Sequence, residues 1–354
     1  MAGVAASRYI RRVFPPETPV GRIGEKALLR HIRSRIPGGR GVAVGVGDDA
    51  AVVETGPLTL VTTDSLVEGV HFRRGWAPDV LLGRKALSVN LSDIDAMGGA
   101  SRYATVSLCL PGDTPFGFVE ALYDGLLARA GETGVQLVGG NLSATADAIV
   151  VDIALLGQGD RLLLRSGARV GDVAVATGTL GAAAVGLRLL GDGERLGQGE
   201  GGRAQAVRRC LLAQLDPAPP LGFGQAVARD GLAHAAIDLS DGLSGDLLAV
   251  CQESGVSAWL DADTLPIDPA AATLERDRGV DPLEVALHGG EDYELLLAAS
   301  PEAVPRLRDL AARMKVSLTV VGGFAAGEPA VSLRSAGGVA PLAPRSHAHF
   351  GSGG

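Results

Sequence analysis

The chain has 354 residues, 46% hydrophobic and 20% charged, which is enough for two packed domains and excludes a disordered chain. Its formal net charge of −8 argues against a broad nucleic-acid or anionic-membrane surface. No apolar run approaches the roughly 18 to 20 residues needed to span a bilayer. Aromatics are 4% of the chain, so the core must come from Ala, Val, Leu and Ile. Cys109, Cys210 and Cys251 are far apart with no CxxC spacing, as expected of buried thiols in a reduced, cytoplasmic protein. The opening run MAGVAASRYIRRVFPP has no apolar segment of the signal-peptide kind.

In chain order, a helix is expected over 25–35, stopped by Pro37-Gly38-Gly39. Strands are expected over 41–46 and 58–63. A helix from 79 carries Leu82, Ala86, Leu87 and Val89 inward and runs to Gly98-Gly99. A strand over 103–110, a long helix over 116–133 stopped by Gly134, a short strand over 135–138 ending at Gly139-Gly140-Asn141, and a strand over 148–156 complete the first half. Residues 157–171 read as the crossing between domains.

The second half reads as a strand over 173–177, a helix over 180–190 and a Gly-rich charged loop over 191–202. Helices at 204–215 and 222–230 follow, then a strand at 235–239, a helix at 243–254 and a strand at 257–260. The last elements are a helix at 281–287, a strand at 293–298, a helix at 302–315 and a strand at 317–321. Both halves mix strands with helices, and some strands follow one another directly. The expected fold class is therefore mixed α/β (α+β), with domains at 1–157 and 158–350 and a flexible tail at 351–354.

Acidic residues recur where apolar segments end: Gly47-Asp48-Asp49, Thr62-Thr63-Asp64, Asn90-Leu91-Ser92-Asp93 and Ile237-Asp238-Leu239-Ser240-Asp241-Gly242. A further group, Gly289-Gly290-Glu291-Asp292-Tyr293, precedes a strand. Singly, each is more easily read as a turn or helix cap. Together, beside apolar strands and without enriched Lys or Arg, they call for a metal as the compensating charge. Oxygen donors of this kind suit Mg²⁺, which usually accompanies phosphates. Asp241-Gly242 also opens a helix, whose first N–H groups attract anions.

Arg165 in Leu164-Arg165-Ser166-Gly167 offers a phosphate clamp, although a lone Arg is more often a surface residue. His71 offers a phosphate contact, against the more frequent structural role of an isolated histidine. Tyr123 on the long helix could pack on an adenine or simply fill the core. Gly197, Gly199 and Gly202 spell GxGxxG but follow no strand, so they carry no dinucleotide site. There is no GxxxxGK[ST] and no kinase HRD/DFG set, which excludes P-loop and protein-kinase chemistry.

In order, GVGDDAA, TTDSLVEGVHF, KALSVNLSDIDAMGG, VGGN, RSGA, IDLSDGL and GGEDYEL resemble the thiamine-monophosphate kinase family, within the aminoimidazole ribonucleotide synthetase superfamily. The resemblance runs from about residue 22 to residue 350. It implies a two-domain fold whose N-terminal sheet pairs across a homodimer. It also implies ATP-dependent phosphorylation of thiamine monophosphate to thiamine diphosphate by direct transfer with several Mg²⁺ ions. Under the resemblance, the metal shell is Asp49, Thr62, Thr63, Asp64, Asp93, Asn141, Asp238 and Asp241. ATP would meet Tyr123, Gly140, Asn141, Arg165 and Ser240, and thiamine monophosphate would meet His71, Glu291 and His347.

Two positions depart from the family pattern. Asn141 stands where many members have Asp, which removes one negative charge from a metal site. His347, in Ser346-His347-Ala348-His349-Phe350, stands where relatives carry an aromatic residue that stacks on thiamine. The alternatives are another ATP-dependent synthetase of the superfamily and a non-catalytic nucleotide-binding protein. The selenium branch is disfavoured by the lack of an N-terminal Cys-containing loop, and the hydrogenase-maturation branch by the lack of a C-terminal cysteine.

Overall fold

The computed structural model describes residues 14–44, 52–56 and 58–345. The N-terminal part contains α1 (Val20–Ile23), α2 (Glu25–Arg35), β1 (Val42–Val44), β2 (Val52–Val53), β3 (Thr59–Val67), α3 (Asp79–Ala96), β4 (Ala100–Pro111), α4 (Phe116–Thr133), β5 (Gln136–Thr145) and β6 (Val150–Gln158). Then follow β7 (Val173–Thr177), α5 (Ala182–Gly191), α6 (Gly201–Leu215), α7 (Phe223–Asp230), β8 (Ala235–Asp238), α8 (Leu243–Ser254) and β9 (Ser257–Asp261). The chain closes with α9 (Pro269–Asp277), α10 (Pro282–His288), β10 (Leu295–Ala299), α11 (Val304–Met314), β11 (Leu318–Ala325), β12 (Val331–Ser335) and β13 (Gly338–Pro341). The mixed α/β class read from the sequence is the class observed.

Two compact units emerge. One comprises the described parts of Met1–Glu54 with Thr63–Leu87 and Tyr103–Ala154. The other comprises Thr55–Thr62, Ser88–Arg102 and the described part of Leu155–Gly354. The short segments around Thr62 and Asp93 thus group with the C-terminal residues, a division that no local composition signals.

A four-stranded sheet has the order β3-β6-β4-β5. Along β4 the side chains alternate: Ala104, Val106, Leu108 and Leu110 are buried, while Thr105, Ser107 and Cys109 are half-buried. Against β4, β5 runs parallel, pairing Val106 with Gly140 and Ser107 with Asn141. Gly139-Gly140-Asn141 was expected as a strand end, but β5 continues through it to Thr145. The reason is packing: a Cβ on Gly140 would lie 2.3 Å from the Val106 carbonyl oxygen. α4 stops as expected, because Gly134 takes φ 73° and its N–H returns to the Ala130 carbonyl.

A seven-stranded sheet has the order β13-β12-β9-β11-β7-β10-β8. It is buried on both faces in its centre. Ala174, Ala176, Ile237 and Leu296 pack with Leu243, Leu247 and Val250 of α8 on one side. Val175, Ala236, Leu295 and Leu297 pack with Phe223, Val227, Leu307 and Leu310 on the other. Each fully buried leucine contributes about 2 kcal/mol by area. The sequence reading lacked α1, β2, α9, β12 and β13. For α9 a signal was present: Asp268 caps Ala270 and Ala271 N–H, with Pro269 in the first turn.

Candidate active site

In the C-terminal unit, β8 delivers Asp238 at its end, where the residue is only 3% exposed. Ser92 Oγ donates to Asp238 Oδ2 at 2.8 Å. One residue further along α3, Asp93 Oδ2 accepts from Thr62 Oγ1 at 2.5 Å. Thr62, Asp93, Met97, Arg165, Asp238 and Glu253 line one cavity of about 500 Å³. Four of the residues singled out in the sequence (Thr62, Asp93, Arg165 and Asp238) therefore share a cavity.

The turn after β8 is tightly determined. Gly242 takes φ 107°, and a Cβ there would meet His288 and Gly289 backbone at 3.0 Å. The exposed Asp241 donates its backbone N–H to Asp246 Oδ2 at 3.1 Å, tying the turn to the first turn of α8. The Asp246 carboxyl is pushed up to about 8, first by burial and then by the charges of Asp238 and Asp241, against smaller opposing effects of the Asp241 N–H and Arg165. Such crowding of carboxylates fits a hard cation. Among the described residues no three His, Cys, Asp or Glu side chains enclose a metal by themselves.

The Gly289–Tyr293 loop lies along the same turn. Glu291 N–H donates to the Ser240 carbonyl at 2.7 Å, and Tyr293 N–H to the Leu239 carbonyl at 2.8 Å. Ser240 and Glu291 are thereby neighbours. Glu291 and Tyr293 take φ 66° and 51°, a conformation that costs about 1–3 kcal/mol for such residues and collects at functional sites. Gln214 Nε2 donates to Glu291 Oε2 at 2.5 Å. Arg208, Arg209, Asp216, Glu291, Asp292 and Glu294 line a second cavity of about 480 Å³. Burial drives the Asp292 carboxyl well above its usual range and Glu294 up to about 7, although Thr177 Oγ1 donates to Glu294 at 2.6 Å.

In the N-terminal unit, Thr63 Oγ1 lies 3.3 Å from Asp152 Oδ1, and Asp64 is half-buried. His71 Nδ1 accepts the Val67 N–H at 3.0 Å, so the neutral ring carries its proton on Nε2. Asn141 Nδ2 donates to Ser143 Oγ at 3.2 Å and Ser107 Oγ at 3.4 Å. Tyr123 is buried in α4, and burial pushes its phenol up to about 12. Asp49 and His347 lie outside the described residues.

Residues 47–159 match AIR synthase related protein, N-terminal domain, and residues 169–332 match its C-terminal domain. The thiamine-monophosphate kinase of Mycobacterium tuberculosis (strain ATCC 25618 / H37Rv) is 38% identical over 280 residues, covering 78% of this chain and 80% of the relative. The chain belongs to the thiamine-monophosphate kinase family. A solved thiamine-monophosphate kinase from Stenotrophomonas maltophilia K279a superposes with a TM-score of 0.75 at 34% identity, over 86% of this chain and 94% of that one. AaThiL complexed with AMPPCP and TMP superposes with a TM-score of 0.73 at 30% identity, over 94% and 99% of the two chains.

Sequence reasoning gave no role to Asp246, nor to Ser92 and Asp95 within the motif KALSVNLSDIDAMGG. Asp95 is buried and accepts the N–H groups of Gly222 at 2.8 Å and Gly224 at 3.0 Å, capping α7. A signal existed for two of them. Ser92 and Asp95 continue a buried polar row from Ser88 at helical spacing, which an apolar-only reading of α3 passes over.

Proposed function

We propose that this chain transfers the γ-phosphoryl group of ATP to the phosphate of thiamine monophosphate, giving thiamine diphosphate and ADP. The observation that carries the reading is the single cavity lined by Thr62, Asp93, Arg165 and Asp238. Mg²⁺ would be held by these acids and Thr62 with Asp241, and by Asp49, Thr63, Asp64 and Asn141, and would supply charge neutralisation between two polyanions. Arg165 would clamp an ATP phosphate, with Ser240, Tyr123, Gly140 and Asn141 completing the nucleotide contacts. His71, through Nε2–H, would hold the acceptor phosphate.

Glu291 and His347 would hold the thiamine moiety. The Glu291 carboxylate suits a permanently cationic ring. The acceptor oxygen is already ionised near neutral pH, so no side chain has to remove a proton, and the task is positioning. The half-exposed face of β4, with Thr105, Ser107 and Cys109, supports pairing with a second copy in a homodimer. The N-terminal domain, 1–157, would then carry the dimer core, and 158–350 the remaining metal and substrate residues. Among the described residues no helix is long and apolar enough to cross a membrane, which is compatible with a cytoplasmic enzyme.

The test is incubation with Mg-ATP and thiamine monophosphate, with chromatographic detection of thiamine diphosphate. Absence of product sinks the activity. Product formation unaffected by either Asp49→Asn or Asp241→Asn sinks the metal assignment.

A further inference from the structure

Ser92 and Asp93 are consecutive on α3, so their side chains leave the helix about 100° apart. Each meets a different segment: Asp93 receives the Thr62 hydroxyl, and Ser92 gives its own hydroxyl to Asp238. A serine inside a helix ordinarily faces water or donates to the carbonyl four residues back. This one is fully buried and donates across to the end of β8 at 2.8 Å. Alanine would fill the position with better helix propensity, so the hydroxyl has a reason other than space filling.

Asp238 needs such a partner. It is almost fully buried, so protein groups and not bulk water must meet its oxygens. The Ser92 hydroxyl fixes one of its two oxygens, Oδ2. A hydrogen bond to an ionised acceptor is roughly twice as strong as a neutral one and is directional.

We propose that Ser92 is a positioning residue that holds the Asp238 carboxylate in the orientation that receives a divalent cation. The proposal rests on Asp238 being a Mg²⁺ ligand. Residues that orient a metal ligand typically alter affinity by about 10- to 100-fold when removed.

The test is Mn²⁺ binding to the nucleotide-free, full-length protein by electron paramagnetic resonance. Ser92→Ala should raise the Mn²⁺ dissociation constant roughly tenfold. Ser92→Cys, similar in size but a poor donor, should do the same, and serves if Ser92→Ala is recovered poorly. Ser92→Thr, which keeps the hydroxyl, should bind Mn²⁺ nearly as the parent does. In turnover, Ser92→Ala should raise the Mg²⁺ concentration for half-maximal rate and leave the KM for thiamine monophosphate unchanged, because the Glu291 cavity is lined by other residues. A general loosening would move both.

Parent-like Mn²⁺ binding by Ser92→Ala or Ser92→Cys overturns the proposal, as does Ser92→Thr binding as weakly as Ser92→Ala. Asp238→Asn separates the two layers. If it abolishes Mn²⁺ binding while Ser92→Ala does not weaken it, only the role of Ser92 fails. If it leaves binding intact, the ligand assignment of Asp238 fails and takes this inference with it.

Discussion

Asp238→Asn should make the metal-free protein more stable at pH 8 and less stable at pH 5. The structure sets the size of the effect. The Asp246 carboxyl is pushed from 3.8 up to about 8. At about 1.4 kcal/mol for each tenfold change in proton affinity, that is ~6 kcal/mol between its two forms. Burial is the largest cause and Asp238 the next, so the share of Asp238 is about 1–2 kcal/mol. Asparagine still accepts from Ser92 but without charge, which costs about 0.5–1 kcal/mol.

Asp246 is half-ionised at pH 8, so the net gain there is about 0.5 kcal/mol. A carboxyl raised in the folded state stabilises that state fully below its ordinary value, about pH 4, and the contribution is lost as pH rises through about 8. At pH 5 Asp246 is protonated and the repulsion is gone, so the weakened bond to Ser92 leaves the variant about 0.5–1 kcal/mol less stable. Urea unfolding in EDTA, followed by fluorescence of Trp259 in β9, measures the difference at both pH values. The same variant should lose phosphoryl transfer. A difference of one sign at both pH values would refute the reasoning, because repulsion between Asp238 and Asp246 could not then be its source.

Arg188→Leu should destabilise the C-terminal unit by about 3–5 kcal/mol, because the guanidinium pairs through both terminal nitrogens with the fully buried Glu275. In chemical denaturation, the double variant with Glu275→Leu should recover most of that loss. Asn141→Asp should lower the Mg²⁺ concentration for half-maximal activity several-fold, since Ser107 and Ser143 can turn their hydroxyls to donate to a carboxylate; an unchanged Mg²⁺ titration refutes the role. His347→Ala should raise the KM for thiamine monophosphate far more than that for ATP, and equal effects would remove His347 from the thiamine site.

Local signals carried much of the fold. The stop of α4 at Gly134 needed nothing beyond the chain's own chemistry. The acids were visible too, because Asp and Ser at the ends of apolar runs are costly unless something meets them. What could not be read locally was decided by pairing. Gly139-Gly140 has the composition of a turn, yet it lies within β5 because β4 comes too close for a side chain. Asp246 reads as an ordinary first-turn acid of a helix. Only folding shows that it holds the Asp241 N–H and shares a buried region with Asp238. α9 is legible in Asp268-Pro269, a capping carboxylate followed by a first-turn proline.

The divided duty of Ser92 and Asp93 has a consequence for transplantation. A loop can usually be moved between scaffolds if its two ends match. Here the IDLSDG turn owes the orientation of one of its acids to a helix from the other half of the chain, and that helix has a fixed rotational phase. Inserting or deleting one residue upstream in α3 would rotate it by about 100°, so that neither Ser92 nor Asp93 would face its present partner. An engineer grafting this turn must therefore carry over the phase of α3 as well as the acids of the turn.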